Sequence, residues 1–247
     1  MEEYVMVEYG IQLYSVCDIA EEKPEYAVKR VAEMGYGLVE TSSFYGLDGK
    51  GYGALMHDAG LKISGSHKGF DELENDFSGT VQLLHDIDCT NYIIPWSGWE
   101  AEDYGKQAAL CNKYQPMLKK EGIDLHFHNH QWEFSVTKGP GGCTPFDYLK
   151  RETDVMFEID MYWAAVGGVD PVRVISKNAG RIRFVHMKDG LLGEKAGEAR
   201  DLGEGEAPVL AVRDLVIKLG LTMVVENEAR KPDGLTAAEN SLRFLKS

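Results

Sequence analysis

Eight short β-rich runs alternate with eight helical patterns along the whole chain, a constraint that few folds satisfy. The runs are "YGIQLYS" (9–15), "LVETS" (38–42), "KISGSH" (62–67), "NYIIPW" (91–96), "IDLHFHN" (123–129), "VMFEID" (155–160), "IRFVHMK" (182–188) and "LTMVVEN" (221–227). Between and after them lie patterns such as "KPEYAVKRVAEMG", "YGKQAALCNKYQPMLKKEG" and "APVLAVRDLVIKLG". Several end in glycine just before the next strand (Gly35, Gly60, Gly122, Gly180, Gly220), as expected where a helix stops in a left-handed turn. Eight such pairs in 247 residues, with no Pro/Gly/Ser-rich linker, predict an α/β fold: one (β/α)8 barrel over residues 1–247. The longest loops follow the fifth run ("SVTKGPGGC") and the seventh ("DGLLGEKAGEARDLGEGE"), on the side where barrel enzymes build their sites.

Side chains alternate across a strand, so the apolar residues of each run reveal which face the others occupy. In "IDLHFHNHQWEF" (123–134), Leu125 and Phe127 point toward the helices and His126, His128 and His130 toward the axis. The same parity sends Met156, Glu158 and Asp160 inward, then His186 and Lys188, then Val224 and Glu226, and Glu40 from the second run. Five strands thus deliver imidazole, ammonium or carboxylate groups to the axis near their C-terminal ends. Isolated charges there would cost several kcal/mol each or be forced to neutralise. A divalent cation resolves the conflict: imidazole with carboxylate suits Mn2+ or Co2+ first, with Mg2+, Zn2+ or Fe2+ compatible, and the lack of thiolates argues against structural zinc.

The chain resembles the xylose isomerase-like TIM barrel superfamily, and within it the sugar phosphate isomerase/epimerase proteins. The resemblance covers essentially its whole length and rests on "GIQLYSV", "AEMGYGLVE", "HNHQWEF", "EIDMYW", "VHMKD", "LGEGE" and "VVEN" taken together. It implies one catalytic divalent ion held by Asp160, His186 and Glu226, with a fourth ligand from the fifth strand. Family members carry a glutamate within that strand, where this chain has histidines; the candidates are Glu133 and His130. His128 is the candidate acid/base group, because neutral imidazole titrates near working pH. Successive inward positions lie about 6.6 Å apart, so one ion cannot reach all three histidines, and His126, the deepest, is expected to be structural.

Glu226 is a second candidate for returning the proton, and Lys188 for stabilising an enolate, against a salt bridge to Glu158 or Glu40. His67, Glu40, Trp163 and Trp96 are candidate substrate contacts, each weighed against ordinary packing. His57 and His85 fall in helices and read as surface or cap residues. The "GEG" at 203–205 is not expected to cradle phosphate, since Asp201, Glu204 and Glu206 would repel it.

The function these readings imply is a metal-dependent isomerase or epimerase acting on a keto-sugar or cyclitol by proton abstraction beside a carbonyl. A lyase performing β-elimination on 3-keto-glycosides begins with the same step. A barrel phosphodiesterase such as an abasic-site endonuclease is the third reading, but the net charge of −14 argues against a nucleic-acid partner. A non-catalytic sugar-binding barrel would leave the convergent acid/base groups unexplained. The expected partner is a small carbohydrate or cyclitol, with no nucleic acid and no membrane; homo-oligomerisation is left open. "MEEYVMVEYG" has neither a basic start nor an apolar signal core, and the four scattered cysteines (Cys17, Cys89, Cys111, Cys143) form no C-x-x-C pair, so the expected location is the cytoplasm. No G-x-G-x-x-G follows a strand, so calorimetry with NADH is expected to show no tight binding.

Overall fold

The computed structural model describes residues 7–95, 103–134 and 140–247. Eight parallel strands close into a barrel: β1 (Tyr9–Gln12), β2 (Leu38–Thr41), β3 (Lys62–His67), β4 (Asn91–Ile94), β5 (Asp124–His128), β6 (Met156–Asp160), β7 (Ile182–Met187) and β8 (Thr222–Val225). Each pairs with its sequence neighbour, and β8 closes on β1 through Tyr9 opposite Met223. Every run read from the sequence contains one barrel strand, with its ends trimmed where side chains leave the sheet for the loops.

Helix boundaries follow local chemistry. Proline opens Pro24–Met34, Pro145–Glu152 and Pro171–Asn178, where its missing N–H is no loss. Side chains of Asp48, Asp76, Thr144, Asp170 and Asp233 cap the first turns of their helices. Gly35, Gly60, Gly122 and Gly220 have positive φ, as the glycine pattern predicts. Gly180 differs: it lies in the 3-10 turn Ala179–Arg181 without positive φ, because the helix before it tightens rather than reversing.

The parity reading holds. Leu125, Phe127, Val155, Phe157, Ile159, Val185 and Met187 join the core between strands and helices. Ile93, Phe184 and Val224 form a separate small cluster inside the barrel. Gly65 leaves room there, since a Cβ at that position would stand 2.4 Å from Ile93 Cδ1. The His126 ring packs on Phe184 at 5.2 Å and its Nε2 bonds Asn91 Oδ1 at 3.0 Å, the structural role its depth predicts. This apolar layer floors the polar groups above it.

The loop after β7 is tied down from within. Asp189 and Gly190 pair with Arg200 and Ala199 in a two-residue antiparallel ladder. The buried Asp189 carboxylate accepts backbone N–H bonds from Gly190, Gly203, Gly205 and Ala207 at 2.8–3.0 Å. Those loop amides are therefore already engaged by a side chain of the loop itself. Gly205 permits the approach, because a Cβ there would sit 2.1 Å from Asp189 Oδ1. Replacing Asp189 with alanine leaves several amides to find new partners; at about 1–3 kcal/mol per unsatisfied buried group, thermal denaturation should show a loss of about 2–4 kcal/mol, with faster amide exchange across 203–207.

Candidate metal centre and active site

Asp160, His186 and Glu226 stand at the ends of β6, β7 and β8 and bring one ligand atom each within 4.8 Å of one another. Asp160 is both the last residue of β6 and the N-cap of the short helix Met161–Val166. Its Oδ1 accepts the Trp163 N–H at 2.8 Å, while buried Oδ2 has no hydrogen-bond partner. The Asn129 side chain clasps the Asp160 backbone from β5, accepting its N–H at 3.0 Å and donating to its carbonyl at 3.2 Å. Glu226 follows β8 directly, with Oε2 at 3.4 Å from His186 Nδ1 and 3.1 Å from Lys188 Nζ.

Electrostatics reflect crowding. Burial, with Glu226 adding to it and Lys188 opposing, lifts the Asp160 carboxyl to about 7. His186 is held well above the ordinary imidazole range: burial disfavours its charge, but Glu158 and Glu40 outweigh that. Burial works against the ionised form of Glu226 too, yet Lys188 and His186 hold it well below the usual carboxylate range. A buried carboxyl oxygen without a partner, beside an imidazole nitrogen and a second carboxylate, fits a divalent cation of borderline hardness.

Deeper in the barrel, Glu40 Oε1 is 2.7 Å from His67 Nε2 and 2.9 Å from His186 Nε2, and accepts a hydrogen bond from Gln12 Nε2 at 2.7 Å. Glu158 Oε2 is 2.8 Å from His67 Nε2, 3.1 Å from His128 Nδ1 and 3.3 Å from His186 Nε2. Although burial opposes its charge, His67 is raised to about 10 by Glu40 and Glu158. His128 is lowered by burial and remains a neutral imidazole near neutrality. Because Glu158 can only accept, the His128 hydrogen lies on Nδ1, which leaves Nε2 as its basic atom.

The remaining candidates divide. Lys188 is buried, its charge favoured by Glu226 despite desolvation; its partners are Glu226 and Glu228, both at 3.1 Å, rather than Glu158 or Glu40. The ammonium also sits 5.1 Å from the Trp163 ring centre. The Trp163 indole N–H is buried without a partner, and its ring lies 5.4 Å from His130. Burial, with His128 and Lys188 adding to it, holds the His130 ring far below the ordinary range.

Glu133 sits in the 3-10 turn Gln131–Phe134, with Oε1 accepting from the Tyr104 hydroxyl and Oε2 from the His130 backbone N–H, both at 2.7 Å. Among the described residues, neither Glu133 nor His130 joins a metal-compatible group. A second set of side chains close enough to share a cation is His67, His128, Glu158 and His186, and Glu40 touches two of its members, His67 and His186. Trp96 lies outside the described residues. Sequence reasoning placed Glu158 on the axis but gave it no role beyond an ion pair, and passed over Gln12, Tyr104 and Asn129. The signal for Glu158 was present in its parity; the other three act through contacts between elements distant in sequence.

No family model matches the chain. It is 23% identical over 194 residues to an inosose dehydratase of Geobacillus kaustophilus, covering 67% of this chain and 61% of that protein. The match thus spans under two thirds of that curated relative. A sugar phosphate isomerase/epimerase from Parabacteroides distasonis superposes with TM-score 0.81 at 22% identity, over 99% of this chain and 95% of the other. An AP endonuclease, family 2, from Brucella melitensis gives TM-score 0.71 at 15% identity, over 94% and 96%. The fold is therefore the (β/α)8 barrel that these structures share.

A cation entering between Asp160, His186 and Glu226 must displace the protons that Asp160 and His186 otherwise hold. Apparent affinity for Mn2+ should accordingly climb as pH rises through about 7, with proton release detectable by calorimetry in buffers of different ionisation enthalpy. A pH-independent affinity would contradict the assignment.

Proposed function

We propose that the protein is a divalent-metal-dependent enzyme that moves a proton at the carbon beside a carbonyl of a keto-sugar or cyclitol, acting as an isomerase or epimerase. The observation that carries this reading is the convergence of Asp160, His186 and Glu226 next to a neutral imidazole, His128, that is oriented by Glu158. Asp160, His186 and Glu226 would hold the ion, which supplies Lewis-acid polarisation of the carbonyl and its neighbouring hydroxyl. Mn2+ or Co2+ best matches the mixed oxygen and nitrogen donors.

His128 Nε2 accepts the carbon-bound proton, and Glu158, bonded to Nδ1–H, stabilises the imidazolium that forms. His128 or Glu226 returns the proton to another face or atom. Lys188 stays charged through the cycle and places a fixed positive group where an oxyanion develops, sharing its charge with Glu226 and Glu228. Trp163 offers a ring face to an apolar sugar surface and an indole N–H to a hydroxyl. His130 and Glu133 are assigned to shaping the mouth, since Glu133 is engaged by Tyr104.

Elimination is the second reading, favoured by the likeness to a protein named inosose dehydratase. It shares the first proton abstraction and differs only in whether a β-substituent then leaves. The nuclease reading draws on the likeness to an AP endonuclease, but the charge of −14 disfavours approach to a polyanion. Among the described residues no helix is long and apolar enough to cross a membrane, and a cytoplasmic location remains part of this proposal.

Assays with ketoses, inososes and 3-keto-glycosides in the presence of Mn2+ or Co2+ separate the outcomes. His128→Gln should lower kcat and kcat/KM together by about 10²-fold or more, with slower solvent-deuterium exchange at the acidic carbon and metal retained. Undiminished exchange would pass the base role to a carboxylate. Asp160→Asn and Glu226→Gln should each strip the ion on gel filtration, read by elemental analysis; full retention in both would sink the assignment.

A further inference from the structure

The deep cluster fails a count of its hydrogens. His67 Nε2 approaches Glu40 Oε1 at 2.7 Å and Glu158 Oε2 at 2.8 Å; His186 Nε2 approaches the same oxygens at 2.9 and 3.3 Å. Those four contacts close a ring of two nitrogens and two oxygens. Each nitrogen carries at most one hydrogen, so at most two contacts can be ordinary hydrogen bonds. The crowding is also one-sided. Glu40 Oε2 and Glu158 Oε1 are buried with no partner at all, while their sister oxygens each meet three nitrogens.

A cation at the centre of the ring removes the shortage of hydrogens and gives one oxygen of each carboxylate a reason to collect the nitrogens. Ligand atoms about 2.0–2.2 Å from a metal stand about 2.8–3.6 Å from one another at angles between right and tetrahedral. The observed edges, 2.7 to 3.3 Å, lie within that range or just below its lower limit. The two outer donors then have a use: Gln12 Nε2 and His128 Nδ1 give their hydrogens to the coordinating oxygens Glu40 Oε1 and Glu158 Oε2. The backbone bends to make the arrangement, since the register slips between Val39 and Glu40 against β3, and between Phe157 and Glu158 against β7.

We infer that the barrel holds a second divalent cation, beneath the first, between Glu40, His67, Glu158 and His186. Two imidazole nitrogens and two carboxylate oxygens select a first-row transition ion over Mg2+ or Ca2+, which favour oxygen-only shells. His186 faces both positions, Nδ1 toward Glu226 and Nε2 toward Glu40 and Glu158. With both filled it bridges them as imidazolate, its last ring proton leaving to solvent. The inference does not rest on the reaction proposed above, whose ion lies on the Nδ1 side.

Wild-type crystals soaked in MnCl2 after chelator treatment, measured above and below the manganese absorption edge, test it without any variant. Two anomalous peaks per chain are expected, one of them inside the ring. Glu40→Gln should abolish the ring peak and leave the Asp160 and Glu226 peak; Glu226→Gln should do the reverse. A ring peak alone supports the inference and removes the upper ion from the proposed reaction. A peak only between Asp160 and Glu226, or no peak, overturns it and makes the ring a proton-sharing cluster. Should Glu40→Gln fail to fold, the wild-type maps decide by themselves.

Discussion

Neutralising carboxylates at the barrel axis is the constraint on which the rest of this structure depends. Glu40 and Glu158 have no exposed surface, and Asp160 and Glu226 are buried beside them. A lone buried carboxylate costs several kcal/mol. His67 at the end of β3, with His186 and Lys188 at the end of β7, answer that cost, so the charge balance of the site is also a set of cross-braces between β2, β3, β6, β7 and β8.

The same constraint separates the barrel interior into two storeys. Ile93, Phe184 and Val224 fill the lower one and exclude water from beneath the polar cluster. Low dielectric strengthens each remaining ion pair and raises the penalty for any group left without one. Asp160 shows the consequence: one oxygen is fixed by the Trp163 amide, the other is left over, and burial pushes its proton affinity up to about 7. Such a group is poised to trade a proton for a cation.

Support reaches outward from the strand ends through single polar residues. Asn129 locks the Asp160 backbone to β5, Asp189 gathers the long loop after β7, and Tyr104 reaches from its helix to Glu133. Each fixes a loop that the sheet by itself would not hold. Asp189 also explains why the glycine-rich run at 203–205 is not available to a phosphate: its amides already point at a carboxylate.

The sequence by itself determined the eight-fold alternation and the inward set His128, Glu158, Asp160, His186 and Glu226, because strand parity is a local property with period two. It also determined most helix ends, since a glycine with positive φ or a capping aspartate acts within a few residues. Only the tertiary structure decided which inward groups meet. Asp160, His186 and Glu226 converge because barrel closure and strand stagger set their heights, whereas Glu133, three residues past His130, is turned by a 3-10 turn toward Tyr104. Lys188 pairs with Glu226 and Glu228 rather than Glu158 or Glu40 for the same reason: which carboxylate lies within about 3 Å of an ammonium depends on the relative heights of residues from separate strands, which no local pattern encodes.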